Sequence, residues 1–140
     1  MKNPPYEILI VEDNLARLKL TQYALQKGKV DSTIVVARDG QAALDFLYKR
    51  RDELGEPILK SPDLILLDLN LPKRDGREVL KLVKQDPSLK EIPVVIVSTS
   101  DREEDISYAQ ENGAVHYISK SSDFSKFSVE LGGVIQFIHP

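Results

Sequence analysis

Leu64-Ile65-Leu66-Leu67-Asp68 is the stretch that decides the fold. Four large aliphatic residues follow one another with no polar residue between them. A strand with one wet face alternates, so this run reads as a short strand covered on both sides that stops on a carboxylate. Working outward, four further apolar runs of similar length appear: Tyr6–Val11, Thr33–Val36, Val94–Val97 and Val115–Ile118. Thr33–Val36 and Val94–Val97 share the unalternating pattern, so both are expected to be covered on two faces as well.

Helical spacing fills the gaps. Asn14 to Lys27 carries Leu18 and Leu25 and meets Gly28 as a stop. Asp39 to Leu54 carries Ala42, Ala43, Phe46 and Leu47. Asp75 to Gln85 carries Val79, Leu80 and Val83 and is closed by Asp86-Pro87. Asp101-Arg102-Glu103-Glu104 resembles a capping box that opens a helix ending at Asn112-Gly113. Phe124, Phe127, Leu131, Val134 and Ile138 step by three or four along one last helix. Within it, Gly132-Gly133 reads as close packing of that helix on the sheet, with a partner contact as the alternative. Arg51 to Pro62 reads as a polar loop. Strand and helix alternating five times give a parallel sheet with helices on both faces and right-handed crossovers.

Composition bounds the function. The 140 residues make one domain, 41% hydrophobic and 29% charged, with a net charge of −3. That balance weighs against nucleic acid or an anionic membrane as the main partner. There is no cysteine, so disulfides, zinc–thiolate centres and thiol nucleophiles are excluded. No apolar run approaches the ~20 residues of a membrane span. Met1 to Pro5 leads into no signal-type segment. The expectation is a cytoplasmic domain.

Ligands of a parallel α/β sheet sit at the carboxyl ends of its strands. Glu12-Asp13 follows the first run, Asp68 the third, Ser98-Thr99 the fourth, and Lys120 lies two residues past the fifth. Each alone has a plain structural reading. The acidic pair can cap a helix, Asp68 can belong to a turn, Ser98 to a loop, and Lys120 to solvent. Together they place three carboxylates, a hydroxyl and an ammonium at one edge. Crowded carboxylates repel, and a divalent cation relieves them; oxygen ligands with room for water suit Mg²⁺. An aspartate beside such an ion can attack phosphorus and form an acyl phosphate. The metal, the Lys120 ammonium, and the Ser98 hydroxyl with a backbone N–H would then neutralise the three equatorial oxygens.

These residues resemble the receiver domains of two-component response regulators over Tyr6 to Ile138. The matching segments are Ile8 to Asn14, Asp68 to Pro72 with Asp75-Gly76, Pro93 to Thr99, and Gly113-Ala114 through Tyr117 to Lys120. The resemblance implies a flavodoxin-like (βα)5 three-layer sandwich with strand order 2-1-3-4-5. It implies that Asp68 accepts a phosphoryl group from a sensor histidine kinase. It implies Mg²⁺ held by Asp13, Asp68 and the Asn70 backbone carbonyl, with Glu12 acting through water. Ser98, Thr99 and Tyr117 would form the switch, and Asn70 and Ser100 lie where the family tunes hydrolysis. Leu15 falls at a kinase-contact position by analogy. The polar link before the third strand and the segment Ser98–Ile106 resemble the stand-alone regulators paired with bacterial phytochromes. A phytochrome-type kinase is then the implied donor. After the last helix only Ile138-His139-Pro140 follow, so residues 1–140 are expected to be a single receiver domain without an output domain. The downstream target stays open. Some such regulators form homodimers, and Phe124, Phe127, Phe137 and Ile138 are candidate apolar surface, although Phe124 and Phe127 read better as core.

One departure stands out. The family usually has proline after the lysine, and here Ser121 follows Lys120. A non-proline cis bond costs ~3 kcal/mol, so the loop is either trans and reshaped or strained. Rival classes fit less well. A haloacid-dehalogenase-type phosphohydrolase needs an acid two residues after the nucleophile, where this chain has Asn70. A flavin or nucleotide carrier needs glycines or hydroxyls in the first loop, where this chain has Glu12-Asp13-Asn14. A phosphorylation-independent partner-binding pseudo-receiver is the nearest rival, but such domains usually lack an acid or the lysine. His116 and His139 have no ligand-spaced neighbours in sequence. Lys49-Arg50-Arg51 and Lys73-Arg74 read as solvated faces.

Overall fold

A computed structural model describes residues 3–49, 61–120 and 123–138. Five parallel strands, β1 (Tyr6–Val11), β2 (Ser32–Ala37), β3 (Leu64–Leu67), β4 (Val94–Ser98) and β5 (His116–Ser119), form one sheet of order β2-β1-β3-β4-β5. The helices are α1 (Leu15–Lys27), α2 (Gly40–Tyr48), α3 (Gly76–Gln85), α4 (Glu103–Glu111) and α5 (Phe124–Gly132), followed by a 3₁₀ turn at Val134–Phe137. This is the flavodoxin-like sandwich expected from the sequence.

Side chains alternate across a strand, and both faces of the central strands are apolar, so two cores result. Ile8, Ile10, Leu64, Leu66, Val95 and Val97 face one way and pack on Leu18, Leu25, Phe127 and Leu131 of α1 and α5. Leu9, Val11, Ile65, Leu67 and Ile96 face the other way and pack on Leu44, Leu47, Val79, Leu80, Val83 and Ala109 of α2, α3 and α4. Each fully buried aliphatic side chain contributes roughly 1.5–3 kcal/mol against exposure.

Helix starts follow capping chemistry. Asn14, Asp39, Asp75 and Asp123 each accept a backbone N–H of the first turn that follows. Asn14 caps α1, which releases Glu12 and Asp13 from that duty.

Four expectations need correction. β2 is covered only in part: at one edge of the sheet, Ile34 and Val35 pack on the two cores while Thr33 and Val36 are exposed. The capping box at Asp101 does not form: Arg102 holds the N-cap position of α4 without a side-chain cap. The last helix is not continuous to Ile138: it ends at Gly132, Gly133 caps it, and a 3₁₀ turn follows. Gly132 packs on a helix end and not on the sheet. A Cβ built on Gly28, at the end of α1, would lie 2.6 Å from the Gly132 Cα. The reason is that α1 and α5 cover the same face and cross where neither has a side chain.

The fifth strand starts at His116, one residue later than read. Most of the Arg51–Pro62 loop, the end of the helix read to Leu54, Arg50, Arg51, His139 and the Lys120–Ser121 junction lie outside the described residues. No helix among the described residues is long and apolar enough to cross a membrane.

Candidate functional site

Strand register builds the site. Val11 pairs with Leu67, and the Asp68 amide donates to the Val11 carbonyl at 3.1 Å, so Glu12-Asp13 and Asp68 leave the sheet side by side. Ser98 pairs with Ser119, and the Lys120 amide donates to the Ser98 carbonyl at 2.8 Å. All the expected residues therefore reach one edge. Glycine 76 makes the approach of the next helix feasible: a Cβ there would sit 2.1 Å from the Asp68 carbonyl oxygen.

Glu12, Asp13 and Asp68 each offer a carboxylate oxygen within 4.8 Å of the other two. Glu12 and Asp68 are buried, while Asp13 is partly open to solvent. The Lys120 ammonium is buried and bonds to Glu12 Oε1. The Asn14 amide donates to Glu12 Oε2 at 3.2 Å, and the Asn70 amide to Asp68 Oδ1 at 3.3 Å. Burial pushes the Glu12 carboxyl up, but its bond to and charge contact with Lys120, together with Asn14 and Arg17, hold it below the ordinary carboxylate value. For Asp68, burial and then the Glu12 charge prevail over the pull of Lys120, and its pKa is pushed up to about 6. Glu12 is the acid paired to Lys120, while the Asp68 carboxylate has the Arg17 Nη2 at 3.9 Å.

That donor set fits a hard divalent ion. It consists of oxygens only, one of the acids is open to water, and Asp13 Oδ1 is buried with no hydrogen-bond partner. The Asn70 carbonyl lies in the loop just after Asp68.

Ser98 is fully buried at the end of β4, and its hydroxyl accepts the Ser100 amide at 3.1 Å. Thr99 is exposed beside it. Tyr117 is half-buried, and its hydroxyl donates to the Ser100 carbonyl at 2.8 Å. Burial raises the Tyr117 pKa, which keeps that hydroxyl a donor.

Sequence reasoning missed three groups. Arg17 reaches all three acids from α1; its spacing, four residues after Asp13, was the available signal. Arg77 and Asp105 join α3 to α4 by a guanidinium–carboxylate contact of 2.5 Å, and Asp105 also accepts the Ser100 hydroxyl at 2.6 Å. Their separation of 28 residues leaves no local signal.

Phe127 and Ile138 are core, and Phe124 stacks on Tyr23 at 5.7 Å on the rim. The fold gives His116 a neighbour that spacing did not, with Glu130 Oε2 3.6 Å from its Nε2 and Phe137 stacked on its ring. Leu15 is exposed at the start of α1.

Comparison with known proteins agrees with this geometry. Residues 8–131 match the response regulator receiver domain family. The chain is 42% identical to the response regulator Rcp1 of Synechocystis sp. over 135 residues, covering 96% of this chain and 90% of that protein. It superimposes on the crystal structure of the phosphorylated cyanobacterial phytochrome response regulator RcpA with a TM-score of 0.80, at 44% identity and over 95% of this chain and 93% of that one. The Mn²⁺-bound form of Rcp1 superimposes with a TM-score of 0.79 at 41% identity, over 95% of this chain and 94% of that one. With strand order, site geometry and kinship in agreement, the chain belongs to the response regulator receiver domains.

Proposed function

We propose that this chain is a phosphorylation-activated signalling switch in which Asp68 accepts a phosphoryl group from the phosphohistidine of a sensor histidine kinase. The observation that carries the reading is the convergence of Glu12, Asp13, Asp68, Ser98 and Lys120 at one strand edge, with Asp68 buried among them. A carboxylate oxygen of Asp68 attacks phosphorus, the P–N bond to the imidazole breaks, and the acyl phosphate forms. Lys120 and the Ser98 hydroxyl take up phosphoryl oxygens. Asp13, Asp68 and the Asn70 carbonyl, with Glu12 through water, would hold Mg²⁺, which would supply charge neutralisation. Slow attack of water on the acyl phosphate returns the switch, and Asn70 and Ser100 lie where the family tunes that hydrolysis.

Names of the similar proteins support a phytochrome-type kinase as donor. The output surface in this reading is the face of α4, β5 and α5. A groove of about 370 Å³ runs there between Ile106, Ala109, Val115, Tyr117, Lys126 and Glu130, and suits a target or a second copy of the chain. Tyr117 links that groove to Ser98 through Ser100. The complete set of acids and lysine favours this reading over a phosphorylation-independent partner-binding role.

Beryllofluoride tests it directly, because it mimics a phosphoryl group on a carboxylate. A bound fluorine resonance is expected with wild type and Mg²⁺, and none with chelator or with Asp68→Asn. A bound signal that survives in Asp68→Asn contradicts the assignment.

A further inference from the structure

The phosphoryl-transfer reading leaves Arg17, at the acidic edge, without a task. Its backbone is fixed in the first turn of α1, where its amide donates to the Asn14 cap at 2.9 Å. From there the guanidinium reaches back over the site. Its Nε lies 3.5 Å from Glu12 Oε2, and its Nη2 lies 3.8 Å from Asp13 Oδ1 and 3.9 Å from Asp68 Oδ2. Lys120 is committed to Glu12, and Arg38 donates to the Asp13 backbone carbonyl at 2.7 Å. Among the described residues, Arg17 is thus the cation that touches all three carboxylates.

Its contacts are close enough for attraction and too long for good hydrogen bonds, which fall at roughly 2.7–3.2 Å. Arg17 Nε and Asp13 Oδ1 are both buried without a hydrogen-bond partner. A guanidinium held by charge alone is easily given up. A third of the side chain is exposed, so a way outward is open.

We propose that Arg17 is the resident counter-cation of the acidic site and that a divalent ion binds by displacing it. Three carboxylates without metal carry three negative charges against the positive charges of Lys120 and Arg17. A divalent ion delivers two positive charges to the same place, and the guanidinium then has no reason to stay. Ion binding is an exchange. Arg17 relieves repulsion in the metal-free protein and in the same measure lowers the affinity for the ion. The inference rests on the metal-dependent reading above.

The test is a calorimetric titration with Mg²⁺ alone, and urea unfolding in chelator, on wild type, Arg17→Met, Arg17→Lys and Lys19→Met. Methionine keeps the aliphatic stem. Lys19 is an exposed residue of the same helix and controls for net charge. Arg17→Met is expected to bind Mg²⁺ about tenfold more tightly than Lys19→Met while being less stable than it in chelator. Arg17→Lys is expected to stay near wild type in both. The Arg17 Nε–H resonance of wild type should shift on adding Mg²⁺. Equal or weaker Mg²⁺ binding by Arg17→Met, or an unmoved Nε–H resonance, overturns the exchange. Absence of Mg²⁺ binding by wild type overturns the metal-dependent reading itself.

Discussion

At the scale of single residues, Asp68 governs the behaviour of the metal-free protein. Its carboxyl titrates at about 6 when folded, against an ordinary 3.8, because burial and Glu12 disfavour its charge. Between roughly pH 4 and pH 6 the folded chain therefore holds a proton that the unfolded chain has released. Stability falls as pH rises through that window and stays reduced above it. Asp68→Asn removes the charge, so in chelator at about pH 7.5 it is expected to be more stable than wild type by on the order of 1–3 kcal/mol. The difference should vanish below about pH 4, and saturating Mg²⁺ should restore wild type. Urea unfolding across pH checks this; equal stability throughout would contradict the electrostatic account. The acids, Ser98 and Lys120 were legible in the sequence because strand ends are. Arg17 offered only its spacing from Asp13, because its reach to Glu12 and Asp68 depends on a side chain bending back over the site.

At the scale of elements, the β4–α4 loop is held by Asp105. This carboxylate is buried at the start of α4, and its pKa is held below the ordinary value by the Ser100 hydroxyl and then by Arg77. Ser100 in turn holds the Ser98 hydroxyl through its amide and the Tyr117 hydroxyl through its carbonyl. Arg77 also carries the Tyr108 hydroxyl on its backbone carbonyl at 3.1 Å. Arg77→Met leaves a buried carboxylate short of its main cation and is expected to cost about 2 kcal/mol. A carboxyl with a depressed folded pKa stabilises above its unfolded value and loses that contribution as pH falls through the folded one. Asp105→Asn should therefore flatten the acid limb of the wild-type stability curve below about pH 4. Unfolding midpoints taken at several acid pH values measure both effects, and an unchanged acid limb would contradict the role given to Asp105. The same loop shows where sequence reading failed. Asp101-Arg102-Glu103-Glu104 has the composition of a capping box, yet Asp105 turns inward to meet Arg77. A long-range ion pair thus overrode a local signal.

At the scale of the whole molecule, two cores on one sheet set the geometry, and patterning of β1, β3 and β4 was enough to read it. The edge place of β2 came from the family resemblance and not from its pattern, because an apolar run does not say which neighbour is missing. The break of the last helix was half visible in Gly132-Gly133, but only the crossing with α1 explains it. Gly28→Ala puts a Cβ 2.6 Å from the Gly132 Cα, with backbone on both sides, and is expected to destabilise by roughly 1–3 kcal/mol. A Cβ on Gly133 meets nothing nearer than 3.5 Å, so Gly133→Ala should be close to neutral. Thermal unfolding of the two variants distinguishes a tight helix crossing from a generally intolerant terminus, and equal losses would contradict the crossing.

All of this geometry serves one chemical claim, that Asp68 takes the phosphoryl group. The most direct measurement is intact mass after incubation with a small acyl-phosphate donor, for wild type and Asp68→Asn, with Mg²⁺ and with chelator. One labile phosphate on wild type that requires Mg²⁺ and is absent from Asp68→Asn is the predicted result. Incorporation that persists in Asp68→Asn, or wild type that stays unmodified with Mg²⁺ bound, would contradict the account.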